Sequence, residues 1–364
     1  MNFDLTEEQQ LLAESVRRFV AQDYGFEARK RILASDEGWS PQAWRTIAEL
    51  GLTALPLPTE HGGFGGGAVD LMAVMEAFGE ALVVEPYLAT LTCSRLVARA
   101  GSAEQQAAIL PRVADGQAKL AFAYLEDGAR YDLRHVNVRA TPQDGRWSLR
   151  GTKRVVLHAP MADRLVVSAR GPRGTALFLV DRPGAVNAYR TVDGMRAADV
   201  MLDGTPAELL GGEDDALPAI EDAIDFATAL VCAEAVGAMR SANAATLEYL
   251  KTRKQFGVPI GAFQALQHRM VDMVITLEQA RSMASLACTE VDGHGQAASR
   301  RRIVSAAKIK IADACRHISQ ESVQLHGGMG MTDELKVSHT FRRLTMIAQQ
   351  FGDADHHLER FASA

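Results

Sequence analysis

The chain has 364 residues, of which 47% are hydrophobic and 23% are charged, and its formal net charge is −6 with a pI near 6.0. This composition is typical of a globular protein with room for two or three compact units, and it excludes disordered and fibrous classes. The acidic balance also disfavours nucleic acid as a partner, because binding to phosphate backbones draws on an excess of Lys and Arg.

Residues 1–116 show the apolar spacing of helices and predict an N-terminal helical domain. Thr6 and Gln9 have the spacing of a capping box, and an apolar run that includes Leu12 and Val16 follows them.

The acidic start MNFDLTEEQQLL differs from a signal peptide, and no stretch of about 18 apolar residues lacks a charge. The four cysteines lie far apart, without paired spacing. We therefore expect a cytoplasmic protein with buried thiols, without a membrane span and without a metal site.

A glycine-rich segment, LPLPTEHGGFGGG at 55–67, interrupts this helical region. No Lys-Ser/Thr pair follows it, and it does not join a strand to a helix, so it lacks the frame of a phosphate-binding loop. The segment is interpreted as a flexible connector.

Between 117 and 212 the pattern changes to short runs such as KRVVLH, DRLVVSAR and TALFLVD, with turn sequences GPRG at 171–174 and RPG at 182–184. Short β-branched runs between such turns predict a middle β domain, either a barrel or a sandwich. Helical spacing returns from 213 to 364 and predicts a C-terminal four-helix bundle, with four or five long helices in all. The predicted fold class is therefore α+β multidomain, in the order α, β, α.

The segment YLKTRKQFGVPIGAFQALQHRMVDM at 249–273 has helical spacing on both sides of a break formed by Gly257, Pro259 and Gly261. Two helices that meet at a tight turn explain this pattern. Long polar side chains converge on the break: Arg253, Lys254 and Gln255 end the first helix, and Gln264, Gln267 and His268 begin the second. Such a joint can hold an anion, although Arg253 can also pair with a surface carboxylate at the end of its helix.

A second motif, QLHGGMGMTDE at 324–334, places Gly327, Gly328 and Gly330 directly after a helical stretch. Glycines leave backbone N–H groups accessible to a ligand, and Gln324 can donate from the preceding helix. By itself, the motif is equally compatible with a glycine turn at the end of a helix.

Together these two motifs resemble the C-terminal signatures of the acyl-CoA dehydrogenases, flavoproteins that oxidise the α,β bond of an acyl thioester. The resemblance extends to ELGLTALPLPTEHGGFGGG at 49–67 and to LRGTKRVVLHAPMADRLVV at 149–167, so it covers the whole chain. Within the family, EYLKTRKQFGVPIGAFQALQHR and the tail FGDADHH are most similar to the small subunits of pimeloyl-CoA dehydrogenase.

The resemblance implies an acyl-CoA dehydrogenase fold, FAD as the cofactor, an acyl-CoA substrate, and electron-transfer flavoprotein or a similar acceptor. It implies that the joint holds the pyrophosphate and adenosine end of FAD. Arg253 would supply a planar charged fork, Gln255 and Gln264 neutral donors, and Phe256 an apolar wall. Gln324, Gly327, Gly328 and Gly330 would add further contacts. In the family both motifs reach a flavin held mainly by the neighbouring chain, so we expect an oligomer.

The catalytic base that the family requires is not evident in this chain. The reaction needs a carboxylate near the α-carbon, and most of the family keeps a glutamate in a turn after the glycine motif. Phe351 occupies that position, and Ala227 occupies the alternative position on the first C-terminal helix. Asp225 is two residues away and would face another side of its helix. Asp353 is a weak candidate, which would need a small loop change, and the catalytic residue is therefore left unassigned.

The positions of the flavin-ring contacts also depart from the family pattern. A Thr-Glu-Pro-Gly-like stretch is replaced by Leu125-Glu126-Asp127-Gly128, and a Trp-x-Thr stretch by Val155-Val156-Leu157. The hydroxyl donors and the aromatic side chain of the family are missing.

Three hypotheses follow from this combination. In the first, the chain is a small subunit that completes the FAD-binding site of a larger homologous partner. In the second, it is a self-sufficient homo-oligomeric dehydrogenase in which Asp353 or another carboxylate replaces the glutamate. In the third, it is a non-catalytic protein that binds acyl-CoA or FAD. Substrate chain length and the ω-group are not fixed by any motif.

Overall fold

A computed structural model describes residues 6–143, 146–181, 186–293 and 295–364, and the RPG turn predicted at 182–184 lies outside these ranges. The described residues belong to two compact units. The first, here called the helical unit, contains 6–30, 68–83 and the described part of 228–364. The second, here called the sheet unit, contains 31–67 and the described part of 84–227. The domain boundaries at 116 and 212 stay a prediction.

Eleven α-helices occur among the described residues: α1 (Glu7–Asp23), α2 (Phe26–Ala34), α3 (Pro41–Glu49), α4 (Ala68–Ala81), α5 (Tyr87–Ala100), α6 (Ala103–Ala114), α7 (Leu217–Thr252), α8 (Gln264–Asp292), α9 (Ala297–His326), α10 (Lys336–Gln349) and α11 (Ala354–Ala362). The same ranges contain nine strands: β1 (Leu120–Ala123), β2 (Arg139–Gln143), β3 (Arg146–Leu157), β4 (Arg164–Gly171), β5 (Gly174–Asp181), β6 (Val186–Arg190), β7 (Arg196–Leu209), β8 (Lys254–Gln255) and β9 (Val258–Pro259). The order of helical, β and helical segments confirms the predicted fold class. The capping box of Thr6 and Gln9 is also confirmed at the start of α1.

The sheet unit is built on a mixed seven-stranded sheet that closes on itself. β4 pairs with β2 on one edge and with β5 on the other, and β3 and β7 complete the ring from β2 back to β5. Alternate residues of each strand face inward, so Leu165 and Val167 of β4 meet Phe178 and Val180 of β5 in a buried core. The predicted GPRG turn closes the β4–β5 hairpin, where Gly171 pairs with Gly174.

The glycine-rich segment 55–67 is a compact loop that folds back on itself. The N–H of Gly65 donates to Leu57 O at 2.9 Å, and the N–H of Gly66 donates to Leu55 O at 2.8 Å. A Cβ on Gly63 would lie 2.1 Å from Leu57 O, so only glycine permits this approach. The glycines thus bring two backbone segments together, and the flexibility expected of this connector stays a prediction.

The helical unit surrounds α9, which contacts α8, α10 and α11. α4 crosses α7 closely, because a Cβ on Gly237 would lie 1.8 Å from Glu76 O. α10 is tied to α7 by a buried ion pair in which both Nε and a terminal nitrogen of Arg343 donate to the Glu234 carboxylate, at 2.6 and 2.8 Å. Because both partners are buried and matched, this pair fixes the position of α10 strongly.

All four cysteines are buried and form no disulfide, as the sequence predicted. Among the described residues, none of the helices combines the length and apolar character needed to cross a membrane. The same residues contain no cluster of three or more His, Cys, Asp or Glu side chains placed to hold a metal ion.

Candidate cofactor and active site

The break between α7 and α8 is a small β-hairpin. β8 and β9 pair in antiparallel fashion, with Gln255 opposite Val258. The two residues at the tip, Phe256 and Gly257, have φ of 54° and 82°, and a positive φ at both central positions is the mark of a type I′ turn. The sequence predicted a simple turn between two helices. The difference arises because Phe256 adopts a left-handed conformation that side chains normally avoid.

The hairpin presents its polar and aromatic side chains to solvent. Arg253, Gln255 and Gln264 are exposed, and Phe256 is 91% exposed. Among the described residues, the Arg253 guanidinium has no hydrogen-bond or ion-pair partner, so the surface carboxylate considered as its alternative partner is not found there. No side chain caps the first turn of α8, which leaves the positive end of that helix at the hairpin.

The glycine motif forms a short 3₁₀ turn, Gly327–Met331, directly after α9. A Cβ on Gly330 would lie 2.6 Å from Val323 O, so the close return of the chain requires glycine there. Gly327 and Gly328 face open space, where a Cβ would meet no atom within 4 Å. Gln324 is exposed in the last turn of α9. This surface therefore offers accessible backbone next to an amide side chain.

A contact that the sequence did not reveal joins the two motifs. The rings of Tyr249 on α7 and His326 on α9 stack with centroids 4.4 Å apart. His326 Nδ1–H donates to Ser322 O at 2.8 Å, and burial lowers the pKa of His326 despite this bond, so the ring stays neutral. Both residues belong to the recognised motifs, but nothing in their spacing along the chain indicates that they meet.

The turn after α10 is where the resemblance expects the family glutamate. Phe351 occupies it with φ of 62°, in the left-handed region. Lys308 is fully buried and donates to Ala348 O at 3.1 Å and to Gly352 O at 2.6 Å. His357 Nε2 lies 3.2 Å from Phe351 O, to which it donates when Nδ1 accepts from a hydroxyl. Two side chains thus hold three backbone carbonyls of this turn.

The electrostatics of the turn follow from its burial. Desolvation lowers the pKa of Lys308, and desolvation together with the nearby Lys308, His356 and Arg360 lowers the pKa of His357 to about 2. His357 is therefore neutral at physiological pH, which suits its role as a hydrogen-bond donor to a carbonyl.

The structure places the candidate carboxylates in other roles or other positions. Asp353 is the N-cap of α11, and its Oδ1 accepts from the His356 N–H at 2.8 Å. Ala227 is completely buried on α7, and Asp225 is buried two residues earlier on the same helix. The structure therefore supplies no new carboxylate for the unassigned base.

In the sheet unit, the Glu126 side chain serves the fold. Lys153 Nζ donates to Glu126 Oε1 at 2.7 Å and to the Ser168 hydroxyl at 3.0 Å, and all three residues are buried. Glu126 also accepts from the backbone N–H groups of Asn137 and Val138. Burial lowers the pKa of Lys153 to about 8, while the paired Glu126 opposes this shift.

The residues at the flavin-ring positions offer apolar surface. Val155 lies at a bulge of β3, with φ of 47° and 40% exposure, and its N–H donates to Asp199 Oδ1 at 3.1 Å. Leu125 and Leu157 are half-buried. None of these side chains can donate a hydrogen bond, as the sequence indicated.

The three-part fold, together with a basic and aromatic hairpin beside an accessible glycine turn, is compatible with a protein that binds a nucleotide cofactor. Family models described as the acyl-CoA dehydrogenase N-terminal, middle and C-terminal domains match residues 6–117, 121–203 and 217–364. The chain belongs to the acyl-CoA dehydrogenase family of FAD-dependent oxidoreductases.

Individual relatives agree with this assignment. Acyl-CoA dehydrogenase FadE12 of Mycobacterium tuberculosis is 32% identical over 371 residues, covering 95% of this chain and 93% of the relative. A variant of the Tcur3481–Tcur3483 steroid acyl-CoA dehydrogenase is 30% identical, with a TM-score of 0.90 over 98% of this chain and 97% of that one. The ChsE4–ChsE5 complex from Mycobacterium tuberculosis is 27% identical, with a TM-score of 0.91 over 100% and 98%.

The donor set of the helical unit fits the pyrophosphate and adenine end of FAD. An unpaired guanidinium suits phosphate oxygens, an exposed aromatic ring suits a base, and open glycines permit close approach. Leu125, Val155 and Leu157, which stand at the flavin-ring positions of the resemblance, offer no hydroxyl donor.

Proposed function

We propose that this chain is the small subunit of a hetero-oligomeric, FAD-dependent acyl-CoA dehydrogenase and completes a cofactor site on a larger homologous partner. One observation carries the proposal. The adenine-side motifs are intact and exposed, whereas Phe351 replaces the base and Val155 and Leu157 replace the flavin-ring contacts.

The chain's own side chains would bind and orient the cofactor. Arg253 would neutralise pyrophosphate charge, and Phe256 would cover the adenine while Gln255 and Gln264 donate to polar edges. Gln324 and the glycine turn would supply further donors. When bound, FAD supplies the acceptor for the β-hydride. The α-proton has no acceptor at Phe351, because a benzyl side chain has no basic atom, so we assign the base to the partner.

Two relatives support a two-chain enzyme, since both ChsE4–ChsE5 and Tcur3481–Tcur3483 are named as pairs. The sequence resemblance to the small subunits of pimeloyl-CoA dehydrogenase points the same way. We propose a dicarboxylyl-, cyclic- or medium-chain acyl-CoA as the substrate and electron-transfer flavoprotein or a similar protein as the acceptor.

An exposed apolar face on α8 supports assembly through the C-terminal helices. Val271, Val274 and Ile275 are 55%, 46% and 50% exposed, and their spacing places them on one side of the helix. Met331 of the glycine turn is 76% exposed. Apolar surface of this kind is typical of a face that another chain covers.

The proposal is tested by expressing the chain alone and together with a larger homologous acyl-CoA dehydrogenase subunit. Flavin per chain and acyl-CoA oxidation with an artificial electron acceptor are measured in both preparations. We expect little flavin and at most trace turnover from the single chain, and half a flavin per chain with full turnover from a two-plus-two assembly. Ordinary turnover by the chain alone would support the self-sufficient enzyme. Flavin or acyl-CoA binding without turnover in both preparations would support a non-catalytic binding protein.

The self-sufficient alternative depends on Asp353 or another carboxylate. Asp353 already accepts a backbone hydrogen bond as a helix cap, which disfavours it as a base.

A further inference from the structure

The sheet unit contains a half-open cavity of about 260 Å³ that belongs to none of the motifs described above. One wall comes from α5, the second from the loop at 56–66, and the third from the first part of α7. Leu57, Leu91 and Phe226 give the cavity an apolar body, while Ser94, Arg95 and Arg99 bring polar groups to it.

Two arginines at this cavity approach the same carboxylate, that of Asp222. Arg95 binds Asp222 through two hydrogen bonds of 2.6 and 3.1 Å, and its guanidinium lies 4.6 Å from the centre of the Phe226 ring. Arg99 Nε lies 3.6 Å from the same Asp222 carboxylate, beyond hydrogen-bonding range. Two guanidinium groups thus share the Asp222 carboxylate, and Arg99 is the less closely paired of the two.

Arg99 is the group available to a ligand. Its side chain is 60% exposed, and it donates no hydrogen bond to any residue in the described ranges. Arg95 is only 18% exposed and is held in place by Asp222 and Phe226. A fixed inner arginine and an open outer arginine make a site in which a second carboxylate replaces water around Arg99.

We propose that this cavity binds a short apolar chain that ends in a carboxylate, with Arg99 as the principal contact. At roughly 30 Å³ per water-sized volume, the cavity accommodates about eight non-hydrogen atoms, which is the size of a six-carbon carboxylate. A cationic or uncharged chain of the same length lacks the ion pair with Arg99.

Two sources can supply this chemistry, a free carboxylate or the terminal carboxylate of a dicarboxylyl-CoA substrate. The second source rests on the function proposed above, because it requires an acyl-CoA bound to the same chain. The first source does not depend on that function.

The binding test uses hexanoate in calorimetric titrations of the purified full-length protein. We expect saturable binding at one site per chain and none for hexylamine. Arg99→Gln should weaken hexanoate binding about ten- to a hundredfold, because it removes a charge-assisted contact. Ala98→Phe fills the cavity while keeping both arginines, and it should abolish binding. Arg112→Gln, at an exposed arginine on α6 outside the cavity, should bind like the wild type.

A second arm separates the sources by comparing adipyl-CoA with hexanoyl-CoA, which differ by the terminal carboxylate. If the substrate occupies the cavity, adipyl-CoA binds more tightly and Arg99→Gln removes the difference. If the ligand is a free carboxylate, saturating hexanoyl-CoA leaves hexanoate binding unchanged. Two results together would overturn the proposal. The first is that hexanoate does not bind, or that it binds the Arg99→Gln and Ala98→Phe variants as tightly as the wild type. The second is that adipyl-CoA and hexanoyl-CoA bind with the same affinity. Neither titration requires turnover, so failure of the proposed dehydrogenase function is detected separately.

Discussion

At the scale of single residues, Phe256 occupies a position that is costly without a ligand. Phe256 combines a left-handed backbone with 91% exposure of an aromatic side chain. The left-handed conformation costs roughly 1–2 kcal/mol for a residue other than glycine. Because the ring is exposed, it also gains no hydrophobic free energy from burial. Binding of the ring to a nucleotide base would offset both costs.

We expect Arg253→Ala to bind FAD about 10- to 150-fold more weakly in the assembly that normally carries it. A charge-assisted contact to pyrophosphate contributes roughly 1.5–3 kcal/mol, which corresponds to that range. Arg253→Lys should recover only part of the affinity, since an ammonium group cannot reproduce the planar fork. Flavin titration of the apo assembly measures this. Lys254→Ala at the neighbouring exposed position is the control, and equal flavin affinity in all variants would contradict the assignment of Arg253.

Asp353 provides a second residue-scale prediction, because the structure separates its capping role from a catalytic one. Asn caps helices about as well as Asp, whereas Ala costs about 1 kcal/mol. We therefore expect Asp353→Asn to keep both stability and turnover, and Asp353→Ala to lose about 1 kcal/mol of unfolding free energy with turnover unchanged. Loss of a general base would instead lower turnover about 10²- to 10⁴-fold in both variants. That result would identify Asp353 as the base.

At the scale of elements, the turn between α10 and α11 links stability to pH through His357. The pKa of His357 is lowered to about 2 in the folded protein, against about 6.5 in the unfolded chain. Between these values the unfolded chain binds more protons, so stability is present above pH 6.5 and is lost as the pH falls below it. The slope is about 1.4 kcal/mol per pH unit, which is roughly 2 kcal/mol between pH 6.5 and 5.0.

His357→Gln should remove the contribution of His357 to the pH dependence of the unfolding free energy. The contributions of the other buried histidines should remain. Urea unfolding at pH 7 and pH 5 measures the difference, with His268→Gln at an exposed position as the control. A wild-type pH dependence in His357→Gln would show that the turn does not hold the neutral histidine as described.

Element boundaries illustrate what the sequence could predict. Periodicity located α7, α8 and α9, because long apolar stripes leave a clear pattern. The hairpin of β8 and β9 was missed, because a Phe-Gly pair lacks the Asn-Gly or Asp-Gly signal of a type I′ turn. The loop at 55–67 was judged flexible from its glycines, but Gly63 serves close backbone approach. Local composition does not distinguish these two uses of glycine.

At the scale of the whole molecule, family motifs pointed to the hairpin and the glycine turn, whose contacts with a cofactor stay a prediction, but they did not reveal how distant residues connect. Arg253 and the glycine turn were recognised from short signatures. Tyr249 stacks on His326, which lies 77 residues later in the chain, and Lys308 donates to Gly352 O, which lies 44 residues later. No local sequence pattern encodes such pairs. The sequence also gave no sign of the cavity beside Arg99, because its walls come from three separate segments.

The apolar face of α8 carries the prediction for the assembled molecule. Each valine or isoleucine covered by another chain contributes about 1.5–3 kcal/mol when fully buried, and a carboxylate at the same place must be desolvated without a partner. We therefore expect Val274→Glu to weaken assembly by at least about tenfold and to release flavin, because the motifs that complete a neighbour's site no longer reach it. Sedimentation and flavin absorbance measured on one sample test both effects together.

Leu11→Glu makes a similar change on α1, where Leu11 is 64% exposed, and it should leave assembly and flavin unchanged. If Val274→Glu keeps the wild-type sedimentation, the face of α8 is not the interface. If it instead sediments as a monomer that retains a full complement of flavin, the chain holds FAD without a neighbour. That result would also remove the reason for assigning Arg253 and the glycine turn to another chain's cofactor.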